Sequence, residues 1–303
     1  MEELPKWKQD LPAVPHKLFN DAFNLVVEYY KEHVRRDTAS GRLQPTDAWV
    51  MLRGFLVAGA QTYASICLLL AEKRPKPLML QANVLGRALF EILSSVLALT
   101  EAPADRTRIL ALEAWKNYAL RFRFLSGRFA SDAKWAEYLD VYRRGLAIIG
   151  KSLGVSTEAE ANPNLIRAEW PTPGRMLYGR PSRHISPFVS GSRRAVLKEL
   201  YEFHYSEQSS QAHGRLPTLG VAMLVDTPEE QWNPGYGESS SVLSALLFVA
   251  CIVSEIEATG EYSHHPKLAE LWTYLRDIDD ESKELWALRY QGLANSAMSR
   301  RGV

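Results

Sequence analysis

Apolar residues recur every three to four positions along most of the chain, the period of an amphipathic α-helix, and no credible β-hairpin interrupts them. The first such stretch runs from about His16 to Arg36, with Phe19, Phe23, Val26, Val27 and Tyr30 on its inner side. The turn TASGRLQPTD ends it, and Thr46 or Asp47 can cap a second helix that reaches about Lys73. RPKP breaks the chain before a third helix, Leu78 to Thr100. Pro103 and Asp105 open a fourth that reaches about Phe129, and Ser131 or Asp132 caps a fifth that ends near Gly150.

The rhythm fails between Ala161 and Ser192, where Pro163, Pro171, Pro173, Pro181 and Pro187 fall among several glycines. Long connections of this kind are more often functional than neutral. Helical spacing returns from Ser192 or Arg193 to His213, and a second irregular stretch covers Gly214 to Gly237. A strongly apolar helix follows from Glu238 to Ala258, then two shorter ones near Pro266 to Asp277 and Asp280 to Met298. The pattern predicts an all-α, multi-helix bundle of about nine helices with two long loops. We read 1–303 as a single domain: an N-terminal helix and turn (1–44), core helices (45–160), a basic Pro-rich loop (161–192), further core helices (193–260) and C-terminal helices (261–303).

Composition narrows the class without naming a function. The chain is 46% apolar and 23% charged, an ordinary globular balance. Its 36 Lys and Arg against 35 Asp and Glu give no global attraction for nucleic acid, so any anion site must be local. Cys67 and Cys251 both fall in apolar helical stretches and read as buried free thiols. The N-terminus has no signal-peptide core, and the apolar runs Ile92–Leu99 and Val242–Val253 are shorter than the roughly 20 residues a bilayer requires. We therefore expect a cytoplasmic protein that does not enter a membrane.

Two lines of polar residues stand inside these apolar helices. Asn83, Arg87 and Glu91 are spaced four apart, and so are Tyr201, Tyr205, Ser209 and His213. Such spacing stacks side chains on one helical face. Burying Arg, Glu or His without partners is costly, so the two lines are expected to meet. A structural role for each is simple: Arg87 and Glu91 as an intrahelical ion pair, and His213 as a C-terminal cap before Gly214. A functional role has Arg87 present its planar fork to an anion with Glu91 fixing its orientation.

The segment RALFEILSSVLAL, followed downstream by YEFHYSEQSSQAHGRLP, resembles a bacterial all-helical family known only as domain of unknown function 5677. The matching positions are Arg87 and Glu91, then Tyr205, Ser209 and His213, and the likeness covers about Leu52 to Gly214. That family looks like a relative of HEPN domains, helical bundles of which many are metal-independent RNases of toxin–antitoxin and anti-phage systems. The resemblance implies a HEPN-like bundle acting in bacterial defence or stress, with a homodimer and a defence-system partner protein expected by analogy. RNase-active HEPN domains, however, carry Arg and His on a single helix, and no His here follows an Arg at that spacing. Cleavage of RNA would then need Arg87 beside His213 from another helix. His213 would be the general acid or base, Arg87 would stabilise phosphate charge, and Tyr205 and Ser209 would orient the imidazole or hold substrate.

The Pro-rich loop adds Arg167, Arg175, Arg180, Arg183, Arg193 and Arg194 against Glu169 alone, interleaved with Trp170, Tyr178 and Phe188. Cationic side chains beside stacking surfaces suit a single-stranded RNA contact or another phosphate-bearing ligand. Asn83, Arg175, Arg180 and Arg183 are the candidate substrate contacts. The alternative is a loop that packs its aromatic residues on the bundle and pairs its arginines with acidic helices.

Other chemistry is excluded more directly. His264 and His265 lack partners at zinc spacing, and the cluster Asp277, Asp280, Glu281 and Glu284 sits where acidic residues favour a helix N-terminus, so no metal is expected. No dinucleotide, P-loop or nucleophile-elbow motif occurs, and we expect no cofactor. Trp115, Trp135, Trp272 and Trp286 fall on inner helical faces and read as core. The competing overall reading is a non-catalytic interaction or regulatory protein in which Arg87, Glu91 and His213 form a buried structural network.

Overall fold

A computed structural model describes residues 48–71, 77–179, 188–205, 234–259, 266–278 and 280–299, together with positions 24, 28, 31 and 35. The described residues are 89% helical and contain no strand, so the protein is an all-α bundle. Asn24, Glu28, Lys31 and Arg35 are helical and exposed, at the three- and four-residue spacing of one helical face. The inner positions of that first stretch lie outside the described residues.

The core is built on α1 (Ala48–Ala71), α2 (Pro77–Glu101) and α8 (Pro234–Ala258). α2 lies against α1 and α8, and its segment Leu93–Leu99 has no exposed apolar side chain. At Gly59 α1 faces both partners, and a Cβ there would meet Leu89, Ile92 and Ile252 at ordinary van der Waals distance. By length and composition Ala48–Leu69 and Gln81–Glu101 would each suffice to cross a bilayer; the second is mostly buried in the bundle, the first by about a third.

Ala102 separates α2 from α3 (Pro103–Phe129), whose first residue, Pro103, lacks the N–H that would continue α2. α3 turns back into α4 (Ala133–Leu153), where Asp132 accepts the Lys134 N–H at 2.9 Å as N-cap. Gly154 closes α4 at φ +69, and the Val155 N–H returns to the Gly150 carbonyl at 2.9 Å, a Schellman ending. This antiparallel hairpin has its own small core around Ala111, Trp115, Ala119, Leu153, Ala159 and Ile166. Trp115 and Trp272 are buried as expected. Trp135 is not part of either core: it stacks on Phe129 at 4.4 Å at the tip of the hairpin.

The Pro-rich stretch is more structured than its composition suggests. It holds α5 (Thr157–Ala161) at its edge, the 3-10 turn Pro163–Leu165 and α6 (Pro173–Tyr178), each started by a proline or a hydroxyl cap. α7 (Gly191–Leu200) then runs without a break into a π-helical segment, Tyr201–Tyr205. α9 (Pro266–Ile278), α10 (Asp280–Leu285), a second π segment (Trp286–Tyr290) and α11 (Gln291–Ser299) complete the bundle against α8.

Candidate functional site

Arg87 and Glu91 share one face of α2 and pair at 3.1 Å, Arg87 Nε to Glu91 Oε1. Tyr205 comes from the π segment to the same place: its hydroxyl donates to Glu91 Oε1 at 3.2 Å, and the Arg87 guanidinium lies 5.4 Å from its ring centroid. The two polar lines therefore do meet, through Arg87, Glu91 and Tyr205. The side chains of Arg87 and Glu91 are 23% and 46% exposed, so the pair faces solvent while Tyr205 is buried behind it.

Burial alone would lower the Arg87 pKa, but the facing Tyr205 and Glu91 outweigh it and hold the guanidinium firmly protonated. Burial raises the Tyr205 phenol, and Glu91 raises it further against the opposing charge of Arg87. The arrangement is a fixed cation with one carboxylate oxygen doubly engaged. A partly exposed guanidinium of this kind is the group that pairs with an anion such as a phosphate oxygen.

The rest of the predicted set is scattered. Asn83, one turn before Arg87, accepts a hydrogen bond from Ser241 and so joins α2 to α8. Arg175 is ion-paired with exposed Glu169. Arg180, Arg183, Ser209 and His213 lie outside the described residues. Of the loop's other cations, Arg193 pairs with Glu101 at 3.1 Å and Arg194 donates to the Leu177 carbonyl at 2.6 Å. Trp170 donates its indole N–H to Ser95 and meets Phe188 edge-on at 5.5 Å.

Aromatic contacts tie the site to the core. Phe90 lies 5.0 Å from Tyr205 and 5.5 Å from Phe248, and Tyr201 stacks on Tyr205 at 5.0 Å. His204, next to Tyr205, points the other way. Its Nδ1 is 2.8 Å from the Ser244 hydroxyl, its Nε2 2.9 Å from Glu281, and its ring meets Phe248 edge-on. His204 thus clamps the π segment to α8 and α10 and sets the position of Tyr205.

The other end of α7 is held by charges. Glu255, fully buried on α8, accepts two hydrogen bonds from Arg289, of which Nη2 to Oε2 is 2.7 Å. Arg193 reaches the same carboxylate at 3.3 Å while its other arm holds Glu101, and Thr100 donates to Glu255 at 3.3 Å. Arg289 also donates to Ser192, and Ser190 donates to Glu101. Burial pulls the Arg289 pKa down, but Glu255 overrides it and keeps the cation.

Sequence reasoning did not identify these two anchors. The signal for the second was present: Glu255 interrupts a run of apolar residues, and a buried carboxylate needs cations. His204 lies one position away from the Tyr–Ser–His line and offered no such cue. Among the described residues no group of His, Cys, Asp and Glu is arranged to hold a metal ion. No protein-family model, curated protein or solved structure matches the chain.

Proposed function

We propose that this protein is an RNA-directed effector of bacterial defence or stress with a HEPN-like bundle, in which Arg87 engages phosphate. The observation that carries the reading is a partly exposed Arg87 ion-paired with Glu91 and brought against Tyr205 from a distant helical segment. A guanidinium fixed on two sides is preorganised for a planar anion and loses little freedom on binding. His213 follows Tyr205 by two steps of four in the sequence and is the proposed acid or base for cleavage, with Ser209 as the residue that would orient it or hold substrate. Glu91 positions Arg87, and Tyr205 positions both. A homodimer, a cytoplasmic location and a defence-system partner protein belong to the same proposal.

A second reading is a non-catalytic interaction protein. It is favoured by the internal engagement of Arg175, Arg193 and Arg194, which leaves less of the basic stretch for RNA.

The test incubates wild type, Arg87→Ala and His213→Ala with mixed cellular RNA in EDTA, with melts on all three. Cleavage by wild type that is lost in both variants at unchanged melting temperature supports an RNase. RNA binding without cleavage, lost in Arg87→Ala alone, supports a binding subunit. Neither binding nor cleavage by wild type removes RNA from the proposal and leaves the interaction protein.

A further inference from the structure

The aromatic residues of the basic stretch meet different fates. Trp170 and Phe188 pack on the main core, and the Arg106 guanidinium lies 4.0 Å from the Phe188 ring centroid. Tyr178, the last residue of α6, remains 59% exposed. Its ring is fixed all the same: the hydroxyl donates to Glu202 at 3.0 Å, and the ring meets Tyr201 edge-on at 5.9 Å. Tyr201 is half-buried and stacks on Tyr205 at 5.0 Å, and Tyr205 in turn lies against Arg87. A series of tyrosine rings therefore runs from solvent at Tyr178 to the Arg87 site.

A cation stands at the outer end of this series. Arg194 is exposed, and its bond to the Leu177 carbonyl at 2.6 Å holds it at the residue next to Tyr178. That carbonyl occupies one of several guanidinium N–H donors and does not neutralise the charge. Arg175 is paired with Glu169 and Arg193 with Glu101 and Glu255, whereas Arg194 has no ion pair among the described residues. Glu202, the acidic neighbour of Tyr178, lies 3.9 Å from Lys198. An exposed ring beside an exposed guanidinium matches the two parts of an unpaired nucleotide, a base that stacks and a phosphate that carries charge. Bases inside an RNA duplex have their faces covered and cannot stack in this way.

We propose that Tyr178 and Arg194 extend the Arg87 site into a platform for single-stranded RNA, with an unpaired base on the Tyr178 ring and the adjoining phosphate on Arg194. The inference rests on the reading of Arg87 as a phosphate contact for RNA and adds to it the strand state and the base contact.

The probe is a short end-labelled oligouridylate, titrated with the full chain and followed by fluorescence anisotropy. Its duplex with oligoadenylate and an abasic strand of equal length, which keeps the phosphates and lacks the bases, are the comparisons. Wild type should bind the abasic strand and the duplex about tenfold more weakly than oligouridylate, the scale of one lost stack. Tyr178→Ala should lose that tenfold preference and bind oligouridylate and the abasic strand equally. Tyr178→Phe keeps the ring and loses the Glu202 bond, and should bind as wild type does. Arg194→Ala should weaken both strands and reduce the dependence of binding on salt. If wild type binds oligouridylate and Tyr178→Ala retains the full preference for bases, or if the duplex binds as tightly as the strand, this inference falls while the Arg87 reading stands. Loss of the preference in Tyr178→Phe as well would assign the effect to the Glu202 contact and likewise overturn stacking. Binding of no RNA by wild type would overturn the Arg87 reading, and this inference with it.

Discussion

Tyr205 and Arg87 donate to the same oxygen, Glu91 Oε1, at 3.2 and 3.1 Å, although Tyr205 is separated from Glu91 by 114 positions in the chain. The sharing makes Glu91 the pivot of the candidate site. It holds the guanidinium from its own helix and the phenol from another.

The first prediction concerns the cost of opening this site. Arg87 and Glu91 are partly exposed, and such i, i+4 pairs contribute about 0.3–0.5 kcal/mol. Arg87→Ala should therefore unfold in urea within about 1 kcal/mol of wild type. Tyr205→Phe removes a single hydrogen bond to a charged acceptor and should cost about 1.5–3 kcal/mol at most. A much larger loss for Arg87→Ala would make the pair a structural element rather than a site.

The Glu255 network should behave in the opposite way. Glu255→Ala leaves Arg289 and Arg193 facing each other with their shared carboxylate gone. Removing one partner of a buried ion pair costs about 3–5 kcal/mol, and urea melts of Glu255→Ala should show a loss of that size. A melt close to wild type would mean that water reaches the two arginines.

Gly150→Ala tests the packing of the hairpin. A Cβ at Gly150 would lie 2.9 Å from Trp115 Nε1, in a rigid ring that donates to the Leu146 carbonyl. Alanine improves helix propensity by about 1 kcal/mol. Overpacking against a fixed indole costs about 1–3 kcal/mol, so the clash should win. We expect a lower melting temperature and a changed Trp fluorescence; a stabilised variant would show that Trp115 can move aside.

Alkaline pH should unfold the protein through its buried protons. Burial pushes the Cys67 thiol from its ordinary 9.0 up to about 12, against the opposing hydrogen bond of Tyr63. Burial also raises Cys251, Tyr63 and Tyr290. The folded chain then keeps protons that the unfolded chain loses, so stability is constant below pH 9.0 and falls as pH rises toward about 12. Thermal melts across that window should show the fall, less steep in Cys67→Ala. At neutral pH neither thiol should react with iodoacetamide in the native protein.

The helical period placed the main bundle well. Pro103 and Asp132 mark real helix starts, and Arg87, Glu91 and Tyr205 were legible because i, i+4 spacing is a local property. Contacts that depend on how helices meet were not legible. Glu255 finds Arg289, Arg193 and Thr100 through tertiary packing, and His204 finds Ser244 and Glu281 in the same way. The short helices of the Pro-rich stretch were hidden for a different reason: pieces of five or six residues are too brief to show a period. Trp135 was misplaced because spacing identifies the inner face of a helix but not where that helix ends, and its ring lies beyond the core at the hairpin tip.

The Glu255 hub also bears on the order in which the molecule assembles. Synthesis delivers Glu101, then Arg193, then the carboxylate of Glu255, and only afterwards Arg289. Without the last segment, Arg193 alone would face the carboxylates of Glu101 and Glu255, and drying that end of α8 would leave one negative charge without a cation. The C-terminal segment therefore completes the charge balance of the core rather than being appended to it, since Arg289 supplies the second cation.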